Sequence, residues 1–220
     1  MKKFEQELAS IKRRVVEMGT VAETMVARAT QALLSRDAAL IDQVRADEET
    51  LDRCQVDIDG EAVRLITIYT PTAKDLRFLL MVVRINTELE RIGDQAVNNC
   101  EYAQMFLSEP PPRSLKDLSS MSDITVNMVH GALEAFEQED VTKAEEVLKL
   151  DDAVDALNAL TFADLVSEHT ADPEAVKRSM SLILLARSLE RIADHATNIC
   201  EEVVYLVKGE DIRHQTQPQG

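Results

Sequence analysis

Four pairs of carboxylates stand four residues apart in this chain: Glu48 with Asp52, Glu90 with Asp94, Asp151 with Asp155, and Glu190 with Asp194. On a helix that spacing puts both acids of a pair on one face. With Glu90 set to zero, Asp94 falls at about 40°, Asn98 at about 80° and Glu101 at about 20°. Three carboxylates and an amide thus form one narrow stripe, while Leu89, Ile92, Ala96 and Cys100 lie at about 200° to 280° and form the apolar face. Glu190, Asp194, Asn198 and Glu201 repeat the stripe, and Gln55 and Asn158 extend the other two pairs by one turn. Like charges at this spacing cost a helix about 0.2–0.5 kcal/mol per pair. Four such pairs call for a compensating cation. Oxygen donors suit hard or borderline ions, so Mg2+, Mn2+ or iron is expected, and zinc less so, because no thiolate or imidazole cluster joins the set.

The stripes belong to a duplication. The segment Leu89 to Glu101 (LERIGDQAVNNCE) aligns with Leu189 to Glu201 (LERIADHATNICE) at an offset of 100, with nine of thirteen positions identical. Unrelated segments would share about one. Asp37 with Asp140 and Val44 with Val147 follow at an offset of 103, and Pro71 with Pro173 at 102. The acidic pair of the preceding segment is repeated too, Asp151 and Asp155 answering Glu48 and Asp52 at 103.

Positioning these stripes requires long helices. Only six Gly, six Pro and 4% aromatic residues stand in 220 positions, too few turn formers for an all-β domain. The run Pro110-Pro111-Pro112 divides the chain into residues 1–109 and 113–220, with a flexible tail expected from about 209. Each half divides into three segments: 4–35, 38–69 and 71–107, then 114–138, 140–169 and 173–208. Asp37, Thr70, Asp140 and Asp172 serve as N-caps, with Pro71 and Pro173 at first helical positions. Leu33, Leu40, Val44, Leu51, Ile58, Val63 and Ile66 recur at helical spacing. The fold class is all-α: two tandem homologous three-helix bundles, six long helices, with second and third helices antiparallel so that facing stripes share a site.

Composition narrows the function. A net charge of -16 repels phosphate backbones and anionic lipid, which argues against nucleic acid and bilayer partners and for cations or basic protein surfaces. The longest apolar run, Phe78 to Val83, is too short to span a membrane, and the start carries no signal-peptide h-region. Cys54, Cys100 and Cys200 read as reduced, packed thiols, consistent with a cytoplasmic protein. A di-metal oxidase would need Glu-x-x-His, and the residues three before His130, His169, His195 and His214 are Asn127, Val166, Ile192 and Asp211. No phosphate-binding loop or activated nucleophile appears either, so no catalytic residue is expected. Two readings of the stripes stay open: cation sites, or a face bridged by Arg45, Arg53, Arg64, Arg84, Arg91, Arg187 and Arg191 in a metal-free helical adaptor.

The doubled LERI(G/A)DxAxN signature, the stretch Pro71 to Leu80 and the acidic pairs together resemble the PhoU family of phosphate-signalling regulators over essentially the whole chain. The resemblance implies two homologous three-helix bundles, a cytoplasmic homodimer, peripheral to the inner membrane through protein partners, and a non-enzymatic role. That role is negative regulation of the phosphate-starvation response and modulation of phosphate uptake. Its implied partners are the ATPase subunit of the phosphate ABC transporter and the sensor histidine kinase of a two-component system. The resemblance also implies metal ions or iron clusters on (E/D)xxxD motifs, which here are Glu48/Asp52, Glu90/Asp94, Asp151/Asp155 and Glu190/Asp194. Cys100 and Cys200 replace the family's usual Ala, which leaves room for a softer ligand, and Gln95 stands where the second half has His195. His195, off the stripe at about 140°, is read as an ordinary partly buried histidine.

Overall fold

The computed structural model describes residues 2–107, 115–167 and 172–212. Its first half holds α1 (Lys2–Ser35), α2 (Ala38–Tyr69) and α3 (Ala73–Gln104); its second holds α4 (Leu115–Gln138), α5 (Val141–Leu148), α6 (Asp151–Ser167) and α7 (Pro173–Lys208). The all-α, two-bundle architecture expected from the duplication is present, and no strand occurs among the described residues. The triple-proline division and His214 lie outside the described residues, as does His169.

Local chemistry explains most boundaries. Asp37 opens α2 and accepts from Ala39 N at 2.9 Å, Asp140 opens α5 and accepts from Lys143 N at 3.2 Å, and Asp172 opens α7 and accepts from Glu174 N at 3.1 Å. Arg36 and Glu139, equivalent in the repeat, both adopt left-handed backbone with φ of 57° and 54°. In both halves the next residue's N–H closes on the preceding helix, Asp37 N on Ala32 O and Asp140 N on Ala135 O. One turn has been copied with the duplication.

Two boundaries depart from expectation. Thr70 is not an N-cap: α2 runs on to Tyr69, whose ring packs on Phe4, and Thr70 takes a left-handed φ of 41° to close α2 through its N–H to Ile66 O. The next helix therefore begins at Ala73, after Thr72. The fifth segment is broken at Lys149 and Leu150, so the described residues contain seven helices where six segments were expected. The acids Asp151 and Asp152 then occupy the first turn of α6, where the helix dipole favours negative charge. In α2 the position equivalent to Leu150 is Asp47, paired with Arg28 of α1, and that helix is continuous. Val63, which shares that helical spacing, is 63% exposed.

The halves meet through two antiparallel helix pairs. Across α3 and α7, Ser188 Oγ donates to Gln95 O at 3.0 Å, and His195 Nδ1 lies 2.8 Å from Glu88. Positions 88 and 188 are equivalent in the repeat, as are 95 and 195, so the two contacts are exchanged by a pseudo-two-fold axis. Across α1 and α4, Ser122 Oγ donates to Thr30 Oγ1 at 2.7 Å, while Gly19 lies under Leu133. These are again exchanged mates, 19 with 122 and 30 with 133. The interface is self-complementary in the way of a two-fold dimer. Helices α1, α3, α7 and α4 make the shared centre, and α2 and α5–α6 pack on its two flanks.

The repeats conserve volume where they change residues. Gly93 faces Leu51, and a Cβ added at Gly93 would stand 2.2 Å from Leu51 Cδ2. The equivalent positions carry Ala193 and Val154, one carbon moved from one helix to the other, and both are buried. Gly93→Ala is therefore expected to cost about 1–3 kcal/mol through overpacking. The double variant Gly93→Ala/Leu51→Val should recover that loss, and the helix preference of Ala over Gly adds about 1 kcal/mol. Denaturant unfolding of the four-member cycle reads the coupling.

Candidate functional site

Helix α2 packs against α3 and α6 against α7, which brings the stripe of each helix into the field of its neighbour's. Burial and the carboxylates of Asp52, Asp94 and Glu101 raise the Glu48 pKa, with Arg45 opposing them. Burial, then Asp94 and Asp52, raise Glu90, and burial with Asp52 raises Asp94. In the second half burial, then Asp155, Asp194, Asp152 and Glu190, push Asp151 up to about 6. Glu190 and Asp194 are raised by burial and by Asp155 among others. Acids on different helices could not raise one another unless they lay close together.

These positions form two clusters. One holds Glu48, Asp52, Glu90, Asp94 and Glu101; the other holds Asp151, Asp155, Glu190 and Asp194. Among the described residues none of the eight paired acids makes an ion pair. The arginines offered by the salt-bridge reading turn elsewhere: Arg64 to Glu7 and Glu61, Arg84 to Glu202, and Arg91 to Glu88. Arg45, Arg187 and Arg191 act on the clusters only through their fields.

The amides divide. Asn198 donates to Glu88 Oε2 at 2.9 Å, so it serves the junction of the halves. Its helical angle, between the stripe and His195, turns it toward α3. Glu201 lines the same α3–α7 seam beside Arg84 and Glu202, while Asn98 and Asn158 are half-buried. His195 Nδ1 binds Glu88, and with Asn198 it holds the Glu88 pKa below the usual carboxylate range despite burial. Spacing alone missed this Glu88–His195–Asn198 group, because Glu88 precedes the repeated signature and its partners lie 107 and 110 residues away. Cys100 and Cys200 are fully buried on the core side, and burial pushes both thiols up to about 12, which disfavours thiolate ligation.

Close carboxylates without cationic partners fit hard cations in charge and donor type. Among the described residues, no three Asp, Glu, His or Cys side chains already converge on a single metal position.

Both clusters open on one face. Between them the α3–α7 seam forms a cleft of about 590 Å³, lined by Asp94 and Asp194, one acid from each cluster, and by Arg91 and Arg191.

The raised pKa of Asp151 has a signed consequence. In the folded state Asp151 retains its proton at pH values where the unfolded chain has lost it. Its favourable contribution is therefore complete below the ordinary Asp range and disappears as pH rises through about 6. Asp151→Asn should make the cation-free protein more stable at pH 7.5, and the difference should close by about pH 4. Solvent screening and the favourable dipole of α6 limit the gain to on the order of 1 kcal/mol, or about 2–4 °C in melting temperature. Thermal melts in chelator across that pH range measure it.

The fold and site define a class: an all-α, internally duplicated protein whose two bundles present matched carboxylate clusters on one face. The family model described as PhoU domain matches residues 15–103 and again 118–203. The chain is 34% identical over 211 residues to the phosphate-specific transport system accessory protein PhoU of Escherichia coli, covering 96% of this chain and 88% of that protein. It is 37% identical over 215 residues to the PhoU homologue of Aquifex aeolicus, covering 98% and 97%. The crystal structure of PhoU from Pseudomonas aeruginosa superposes with a TM-score of 0.90 at 34% identity, covering 94% of this chain and 100% of that one. The Streptococcus pneumoniae regulatory protein PhoU, at 23% identity and a TM-score of 0.87 over 95% of this chain and 99% of that one, shares the fold. The chain belongs to the PhoU family. Among the described residues no helix is long and apolar enough to cross a membrane.

Proposed function

We propose that this protein is a non-enzymatic accessory of phosphate-specific transport that restrains the phosphate-starvation response. Its acidic face, screened by divalent or ferric ions, docks on the ATPase subunit of the phosphate ABC transporter and on the sensor histidine kinase. Docking while phosphate is plentiful holds the kinase in its non-activating state, and a homodimer is the working form. The observation that carries this reading is the pair of facing carboxylate clusters at equivalent places in both halves, none of whose eight paired acids has an ion-pair partner among the described residues. The relatives' names supply the transport system. A metal-free adaptor is the second reading, favoured by the absence of a ready-converged ligand set among the described residues.

Titrating the purified ATPase subunit with this protein, in Mn2+ and in chelator, separates the two. Binding that needs Mn2+ supports the cation-screened face, whereas equal binding in chelator supports the metal-free adaptor. Absence of binding under either condition removes the transporter from the proposal.

A further inference from the structure

The cleft between the halves has a chemistry that neither cluster has alone. Arg91 and Arg191 occupy equivalent positions of the repeat, and the pseudo-two-fold axis brings both to its walls. Arg91 gives Nη1 to Glu88 at 3.0 Å, which leaves most of its guanidinium donors uncommitted to that bond, and Arg191 makes no ion pair among the described residues. Gln95, also in the lining, accepts from Ser188 through Oε1, so its amide NH2 remains a donor. Two guanidinium forks and an amide are groups that hold tetrahedral oxyanions by charge-assisted, bidentate hydrogen bonds. A volume of about 590 Å³ is ample for a small anionic ligand.

The carboxylates set a condition on that binding. Asp94 and Asp194 stand in the same lining, and with a net charge of -16 the bare protein repels anions. Ions at the two clusters would reverse the local sign. Hard cations such as Mg2+ are commonly shared between one or two carboxylates and phosphate oxygens.

We infer that the α3–α7 cleft is a cation-dependent site for a phosphate-type oxyanion, clamped by Arg91 and Arg191. The inference rests on the cation reading of the clusters and adds the anion. Inorganic phosphate and the phosphate chain of a nucleotide offer the same chemistry, and separate arms distinguish them. Sulfate, similar in shape and doubly charged near neutral pH but carrying no protonated oxygen, tests the preference for phosphate.

Equilibrium dialysis of labelled phosphate, ATP and sulfate, in sub-millimolar Mn2+ and in chelator, tests the site on the full chain. Arg91→Gln/Arg191→Gln is the diagnostic variant: both side chains are solvent-facing, so the fold survives, and Mn2+ stabilisation of the variant is measured alongside. Phosphate or ATP should bind in Mn2+, lose at least about tenfold affinity in chelator, and lose about tenfold or more in the double variant with its Mn2+ response intact. Mn2+ binding without any phosphate or ATP binding overturns the anion site and leaves the cation clusters standing. Anion binding that ignores the arginine substitutions overturns it equally. Failure of the parent to bind Mn2+ overturns the cation reading and this inference with it, and sulfate bound as tightly as phosphate overturns the phosphate assignment.

Discussion

Alanine at Glu90, Asp94, Glu190 and Asp194 together is expected to abolish the stabilisation that Mn2+ confers, and to raise the stability of the cation-free protein at pH 7.5. The two effects have opposite signs and one cause. Each of the four acids has a raised pKa, chiefly because it is partly withdrawn from water and secondly because it lies near other carboxylates. Removing like charges in close pairs relieves repulsion by roughly 1 kcal/mol in sum. The same acids are the proposed ligands. A cation present at a hundred times its dissociation constant stabilises the folded state by about 2.7 kcal/mol at each site, and the variant should forfeit all of it. Metal content after dialysis and melts with Mn2+ or chelator give the readout. Undiminished Mn2+ stabilisation would sink the assignment of the clusters. Loss of Mn2+ binding with repression of starvation genes intact would leave the clusters as cation sites without a regulatory role.

Phe136→Ala is expected to cost about 3–5 kcal/mol, on the order of 10 °C in melting temperature, and to leave Mn2+ binding per folded molecule unchanged. Phe136 stands in the last turn of α4 and is fully buried. Its ring lies parallel to Phe78 of α3 with centroids 6.4 Å apart, and Lys12 of α1 sits 5.7 Å above it. The side chain thus joins α4 to both helices of the other half that enter the shared centre. Phe78 is only half-buried, so Phe78→Ala should cost less. Denaturant unfolding gives the energies, and the Mn2+ dependence of the remaining folded fraction tests the independence of the clusters. A cost below about 1 kcal/mol would mean that the junction collapses onto the gap.

Much of the molecule is legible in local pattern. The caps Asp37, Asp140 and Asp172 open helices where their side chains predict, because an N-cap bond reaches only two or three residues. Thr70 misled because a Thr before Pro reads as an N-cap, yet the packing of Tyr69 on Phe4, 65 residues away, keeps α2 helical to its end. The interruption at Lys149 and Leu150 was hidden because its sequence has no Gly or Pro. It separates α6 from α5 at the point where two consecutive acids gain from a helix N-terminus.

The sequence alone determines that the chain is helical and duplicated, and that four carboxylate pairs lie on helix faces, since the period of a helix and the offset of a repeat are both written along one dimension. Only the tertiary structure decides what meets across the junction. Helices α3 and α7 pack antiparallel about a pseudo-two-fold axis, which turns the two stripes to one side. There Asp94 and Asp194, with Arg91 and Arg191, enter a single cleft, and Glu88 holds His195 and Asn198. Partners about a hundred residues apart share no local period. Their meeting follows from how the apolar faces of four helices close around a common centre.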